Sequence, residues 1–162
     1  MKSRTAFIAI FALLAIAAVA IAIFALGGDK PPAHALRPND ASLLVRGGQI
    51  YTERCAACHG AELKGQPNWR TRTEDGLLPA PPHDAGGHTW HHPDDVLFRI
   101  TKFGVARGAG IADYRSAMPA YDGVLSDEDI VAVLSWIKSR WPESVRRMHD
   151  DLNARSLKKS DR

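Results

Sequence analysis

The sequence predicts an all-α fold: three or more helices and long loops around one bound group, preceded by an N-terminal transmembrane helix. Three observations support it. Apolar residues recur at helical spacing in three separate segments, no segment alternates as a half-buried strand does, and two long stretches lack apolar periodicity. Because three modest helices bury too little apolar surface to enclose such loops, we expect a non-protein group to fill the centre.

The N-terminal segment carries Lys2 and Arg4, then an uncharged apolar run over residues 6–26. As a helix this run would span roughly 30 Å, enough to cross a bilayer. Secretory signals have shorter apolar regions, although Ala33-His34-Ala35 offers a signal peptidase pattern. Residues 1–28 are therefore expected to be a retained anchor, with a cleaved signal peptide as the alternative. The positive-inside rule then predicts that the N-terminus stays in the cytoplasm and that the rest of the chain is exported.

A linker containing proline and glycine is expected over residues 29–38, and the folded domain over residues 39–141. The first predicted helix runs from about residue 41 to the first cysteine, with Asn39-Asp40 as its cap. The second opens at Pro93-Asp94-Asp95 and closes at Gly104. The third follows the Ser126 cap and ends at Trp141-Pro142.

The C-terminal residues 142–162 form a basic tail. Residues 138–162 hold eight basic and four acidic side chains, whereas residues 29–137 hold 11 basic and 14 acidic ones. We expect a solvated, partly disordered end; a short helix that contacts an acidic partner or lipid headgroups is the alternative. Because the exported part is nearly neutral overall, no nucleic acid partner is expected.

The two cysteines of the chain both occur in Cys55-Ala56-Ala57-Cys58-His59. Cys-x-x-Cys-His is the attachment sequence of c-type haem, in which both thiols form thioethers and the histidine binds the iron. One helical turn brings both sulfur atoms to one edge of the macrocycle. A redox pair would need a βαβ pattern and a zinc site further ligands, and the sequence offers neither. One covalent haem c is therefore the expected cofactor.

The second axial ligand of the iron is expected to be Met118, which lies in an irregular stretch where a loop can fold over the opposite haem face. Met148 lies in the charged tail. For Met118 itself, the alternative is a core methionine that fills a gap. The other candidates are histidines 83, 88, 91, 92 and 149.

These motifs resemble the monohaem class I c-type cytochromes over about residues 39–141. The front half is similar to Gly-x-x-x-Tyr-x-x-x-Cys-x-x-Cys-His-Gly, and the back half to Met-Pro-x-aromatic followed by Leu-Ser-Asp-x-Glu/Asp-Ile. The matching residues are Gly47, Tyr51, Cys55, Cys58, His59, Gly60, Met118-Pro119-Ala120-Tyr121, Leu125-Ser126-Asp127-Glu128-Asp129-Ile130 and Trp136. The resemblance implies a class I cytochrome c fold in which the first and last helices cross at Gly47 or Gly48 and Trp136. It also implies His59 and Met118 as the axial pair.

The middle segment, residues 78–92, looks like that of a bacterial membrane-anchored branch of this family. By analogy, a proline carbonyl between residues 79 and 82, with Pro81 as the candidate, accepts a hydrogen bond from the second ring nitrogen of His59. Trp69, Arg72 and Trp90 are candidates to hydrogen-bond or cover the haem propionates, with ordinary loop packing as the alternative.

The resemblance implies a single-electron carrier and not an enzyme, because two axial ligands leave no open position on the iron. The expected partners are respiratory: a quinol-oxidising complex or a terminal oxidase, with the lipid bilayer contacted through residues 6–26. The expected location is the bacterial inner membrane, single-pass, with the haem domain in the periplasm.

Two alternative functions stay open. One is a copper-handling or oxidase-assembly redox factor that uses the cluster His83, His88, His91 and His92. The other is a haem enzyme or gas sensor in which Met118 is weakly bound or displaced.

Overall fold

The computed structural model describes residues 32–160, together with Ile16 and Val19 of the N-terminal segment. Six α-helices lie in residues 32–160: α1 (Ala41–Ile50), α2 (Ala56–His59), α3 (Asp94–Phe103), α4 (Val105–Ala109), α5 (Asp127–Ser139) and α6 (Glu143–Ser160). A π-helical turn, Tyr51–Cys55, joins α1 to α2, and a 3-10 turn, Thr89–His91, precedes α3. The described residues contain no strand, so the predicted all-α class is confirmed.

The predicted transmembrane helix over residues 6–26 lies outside the described residues, apart from Ile16 and Val19, which are helical. None of the helices in the described part combines the length and the hydrophobicity that a bilayer crossing requires.

Local signals set the ends of the helices. The Asp40 carboxylate accepts a hydrogen bond from the Leu43 amide and caps α1. Ser126 and Asp129 form a reciprocal capping box at the start of α5, where each side chain satisfies the other residue's backbone amide. Helix α3 is followed by Gly104, whose positive φ of 82° glycine adopts without strain.

The core is built where α1 crosses α5. A Cβ on Gly47 would lie 2.1 Å from the Ala132 carbonyl oxygen, so only glycine allows the two backbones to approach this closely. Gly48 lies beside the Trp136 indole. The structure thus has the crossing that the resemblance implies. The apolar side chains buried around it include Leu43, Ile50, Tyr51, Ile130, Val131, Val133, Leu134 and Ile137.

The folded part begins before the expected boundary at residue 39. Leu36 is only 8% exposed, and its amide donates to the Asp94 carboxylate at 2.8 Å. The Arg37 amide donates to the Ser135 hydroxyl at 2.9 Å. The compact unit accordingly starts at Ala33, and the last residues of the predicted linker belong to the domain.

The C-terminal segment differs most from its prediction. Instead of a solvated, partly disordered end, it forms α6, an 18-residue helix that packs against the 3-10 turn. His149 on this helix is fully buried, and its Nε2 donates to the His92 carbonyl at 2.9 Å. Asp94 and Asn153 pair through two hydrogen bonds of 2.8 and 3.0 Å. Polar residues that the sequence predicts to face solvent therefore hold α6 against the rest of the domain.

Candidate functional site

The two cysteines lie one helical turn apart at the junction of the π-helical turn and α2. Cys55 is half-buried and Cys58 is exposed, and no disulfide joins them. Burial, and then the neighbouring Cys58, raises the pKa of Cys55 to about 11. At neutral pH the Cys55 thiol is therefore protonated in the folded chain.

His59 ends α2 and is only 7% exposed. Its Nδ1 lies 2.8 Å from the Pro81 carbonyl oxygen and donates to it, since a carbonyl only accepts. Burial lowers the pKa of His59, and the hydrogen bond to Pro81 partly opposes that shift. The ring is thus neutral at pH 7 with a lone pair on Nε2, the form in which histidine binds a metal.

A tight loop behind His59 brings Pro81 into position. The Gly65 amide donates to the His59 carbonyl at 2.8 Å, and the Gln66 amide donates to the Ala80 carbonyl at 2.9 Å. A Cβ on Gly65 would lie 2.5 Å from the Pro82 nitrogen, and the φ of this residue is 66°. Glycine is therefore required here both for the backbone conformation and for the close approach to residues 80–82.

Two tyrosine hydroxyls hold the backbone on either side of the Cys-x-x-Cys-His motif. Tyr51 donates to the Gly60 carbonyl, directly after the motif, at 2.8 Å. Tyr121 donates to the Arg54 carbonyl, directly before the motif, also at 2.8 Å. The backbone of the motif is thereby fixed at both ends.

Met118 lies half-buried in the loop between α4 and α5. Its backbone amide donates to the Ser116 hydroxyl at 3.0 Å. Three residues later, the amide of Tyr121 bonds to the carbonyls of Thr101 and Lys102 at the end of α3. The Tyr121 side chain then reaches Arg54, so the loop that carries Met118 is tied directly to the start of the motif.

The four histidines of the proposed copper cluster do not converge. His83 stacks on His59, His88 on Trp69, and His91 on Trp90, while His92 meets His88 edge-on with ring centroids 5.3 Å apart. Across the described residues, no group of three or more His, Cys, Asp or Glu side chains is placed to hold a metal ion. The described geometry therefore gives no support to the alternative in which His83, His88, His91 and His92 bind copper together, because the loop distributes them among separate aromatic contacts.

The side chains of Trp69, Arg72 and Trp90 all contact other residues of the protein. Arg72 donates to the Gly76 carbonyl at 2.6 Å, and the Arg70 guanidinium lies 4.2 Å from the centre of the Trp69 ring. The Trp90 indole donates to the Ala85 carbonyl at 3.3 Å, and its ring lines a cleft with residues of α6. A role for these three side chains near the haem propionates stays a prediction.

His83 contacts the site directly, and this contact could not be recognised from the sequence. Its ring lies parallel to that of His59, with centroids 3.9 Å apart and an angle of 22° between the planes. The sequence places His83 only among the loop histidines, 24 residues after His59. No spacing rule signals the contact, since it depends on how the loop folds back through Gly65.

The donor set fits a c-type haem. It comprises two unpaired thiols one turn apart, an imidazole whose Nδ1 is already hydrogen-bonded, and a thioether on a loop tied to the motif. Cys55 and Cys58 would hold the macrocycle covalently, and His59 would offer Nε2 to the iron.

Comparison with known proteins agrees with this chemistry. A family model described as cytochrome c oxidase, cbb3-type, subunit III matches residues 43–137, which include the motif and Met118. The gluconate 2-dehydrogenase cytochrome c subunit of Pantoea cypripedii is 26% identical over 136 residues. That alignment covers 82% of this chain but only 28% of the relative. No solved structure matches. The chain belongs to the family described as cytochrome c oxidase, cbb3-type, subunit III, and is a class I monohaem c-type cytochrome with covalently bound haem c.

Proposed function

We propose that this cytochrome is a membrane-tethered carrier that transfers single electrons between respiratory partners on the exported side of the bacterial inner membrane. In this proposal Cys55 and Cys58 anchor the haem, and His59 and Met118 are the axial ligands. When bound, the haem supplies the exchange between Fe(III) and Fe(II), which needs no bond to substrate.

The observation that carries the axial assignment is the hydrogen bond from Tyr121 to the Arg54 carbonyl. It holds the end of the Met118 loop beside the residue that precedes Cys55. Three residues of chain span at most about 10 Å, so Met118 lies within that distance of Tyr121, whose hydroxyl contacts the residue directly before the motif. A thioether is a soft ligand that favours ferrous iron, so Met118 would raise the reduction potential relative to a second histidine.

The environment of His59 supports the same role. Its hydrogen bond to Pro81 fixes the tautomer that presents Nε2, and such outer contacts set both the orientation and the basicity of a ligating histidine. With both axial positions filled by protein side chains, the site is suited to electron transfer and not to binding a substrate or gas.

The tether is proposed from the apolar run over residues 6–26. A span there would hold the haem domain in the periplasm near the membrane and raise its effective concentration at membrane partners. A chain without residues 1–28, exported with a cleavable signal, should keep its absorption spectrum and leave the membrane fraction. Retention of that shortened chain in washed membranes would contradict the tether.

The proposed partners follow from the names of the matching proteins. The family description points to a terminal oxidase as acceptor, and the name of the relative points to a dehydrogenase as donor. Because the chain spans less than a third of that relative, we propose a redox partner of this general class and no specific substrate. A quinol-oxidising complex is the other proposed donor.

The axial assignment is tested by carbon monoxide binding to the ferrous, haem-loaded full chain in detergent. We expect the absorption spectrum of the native protein to be unchanged by carbon monoxide, and the Met118→Ala variant to bind it readily. Met148→Ala, a change at the exposed methionine of α6, is the matched control and should behave as the native protein. Rapid binding of carbon monoxide to the native protein would favour a haem enzyme or gas sensor instead.

A further inference from the structure

His83 forms a flat surface against one face of His59. The two imidazole rings are nearly parallel, at 22°, with their centres 3.9 Å apart. Such a separation is van der Waals contact between stacked rings. The His59 ring is therefore bounded on one face by another ring and at its Nδ1 edge by the Pro81 carbonyl.

These two contacts restrain different motions. The outermost torsion of a histidine side chain is broad, so a single hydrogen bond leaves the ring plane free to rock about that bond. A parallel ring in contact removes this freedom, because any tilt of His59 would press its edge into His83. The hydrogen bond to Pro81 defines where Nδ1 lies, and the stack defines the plane.

His83 can act as a fixed reference because it is itself held at three points. Its amide donates to the Leu63 carbonyl at 2.8 Å, and its carbonyl accepts from the Trp141 indole at 2.7 Å. Its ring Nδ1 lies 2.9 Å from the Thr89 hydroxyl. Thr89 and Trp141 are both buried, so these bonds are shielded from competing water.

We propose that His83 is a positioning residue that sets the plane of the axial imidazole of His59. This inference rests on the proposed function, in which His59 binds the iron. The orientation of an axial imidazole plane determines how its π system overlaps with the iron d orbitals, and hence the magnetic anisotropy of the ferric state. His83 would act on the cofactor only through His59.

The test compares two substitutions of similar size in the haem-loaded full chain. His83→Phe keeps a flat ring against His59, whereas His83→Leu fills the space without one. The measurement is the pattern of haem methyl resonances in the NMR spectrum of the ferric protein, together with the electron paramagnetic resonance g values. We expect His83→Phe to retain the native pattern and His83→Leu to change it. Thr89→Val, which removes the bond to the His83 ring, should give a smaller change in the same direction.

Leu36→Ala is the control for a purely structural effect, because Leu36 is buried in the segment before α1. It should lower stability while leaving the methyl pattern unchanged. A native methyl pattern in His83→Leu would overturn the inference, even if that variant were less stable. If the native ferric protein showed no low-spin spectrum with nitrogen ligation, the proposed function itself would fail, and this inference with it.

Discussion

At the scale of single residues, the motif depends on side chains outside it. Cys55, Cys58 and His59 carry the attachment chemistry, but the two tyrosine hydroxyls hold the backbone on which these residues lie. Burial raises the pKa of Tyr51, so its hydroxyl stays a hydrogen-bond donor well into the alkaline range. The pKa of Tyr121 is also raised, again mainly by burial.

We expect Tyr51→Phe and Tyr121→Phe each to lower the free energy of unfolding by about 1–3 kcal/mol, because each leaves a carbonyl beside the motif without its donor. Urea unfolding of the haem-loaded protein, followed by absorbance, measures the change. Tyr114→Phe is the control, since the described contact of Tyr114 is with Arg72 over its ring. Equal small losses in all three variants would show that neither hydroxyl holds the motif.

The residues of the site differ in how far the sequence predicts them. Cys55, Cys58 and His59 follow from a contiguous motif, because covalent attachment needs fixed spacing. The Pro81 carbonyl that faces His59 lies in the segment expected by analogy. The stack of His83 on His59 could not be predicted, since it arises from a loop brought back onto the end of α2 by tight turns and by a long-range bond to Trp141.

At the scale of the helices, the crossing of α1 and α5 is the contact that orders the domain. Gly47 faces a backbone carbonyl of α5, whereas Gly48 faces the indole of Trp136. The same substitution at two adjacent positions therefore meets a rigid neighbour in one case and an adjustable side chain in the other.

Gly47→Ala should destabilise the protein by about 1–3 kcal/mol or more, because its methyl group would force the two helices apart. Gly48→Ala should cost much less, since its methyl group lies 2.9 Å from the Trp136 Nε1 and the indole can shift. The gain in helix propensity, about 1 kcal/mol, is the same for both. Thermal unfolding monitored by circular dichroism compares them, and a Gly48→Ala variant as unstable as Gly47→Ala would contradict this account.

The helices with local start signals could be predicted, whereas α6 could not. Helices α1, α3 and α5 directly follow Asp40, Pro93 and Ser126, and these signals act locally. Helix α6 has a weakly apolar sequence, and its position depends on the buried His149 and on the pairing of Asn153 with Asp94. Such polar contacts have no periodicity by which a sequence could reveal them.

At the scale of the whole molecule, the distribution of buried histidines predicts how stability depends on pH. Burial lowers the pKa values of His83, His88, His92 and His149. A group whose pKa is lower in the folded than in the unfolded state binds fewer protons when folded. The stability it contributes is thus present above the unfolded pKa, about 6.5, and is lost as the pH falls below it.

We therefore expect the free energy of unfolding of the haem-loaded protein to be constant near pH 7.5 and to decrease steadily from pH 6.5 to pH 5. His149→Gln should be less stable at pH 7.5 but should show a shallower decrease, because one buried titrating group is gone. Urea unfolding at a series of pH values measures both slopes. Equal stability of the native protein at pH 5 and pH 7.5 would contradict the prediction.

The π-helical turn between α1 and α2 has a consequence for how this sequence can change over time. The Ala56 amide bonds to the carbonyl of Tyr51, five residues back, so the turn holds one residue more than a regular α-helix would. Deleting one residue among the exposed positions 52–54 would remove that extra residue and permit an unbroken α-helix, in which the two cysteines keep about the same direction relative to Gly47. The same deletion inside a regular α-helix would rotate every following residue by about 100°, so the π-helical turn is a place where the chain can change length by one residue without turning the cysteines away.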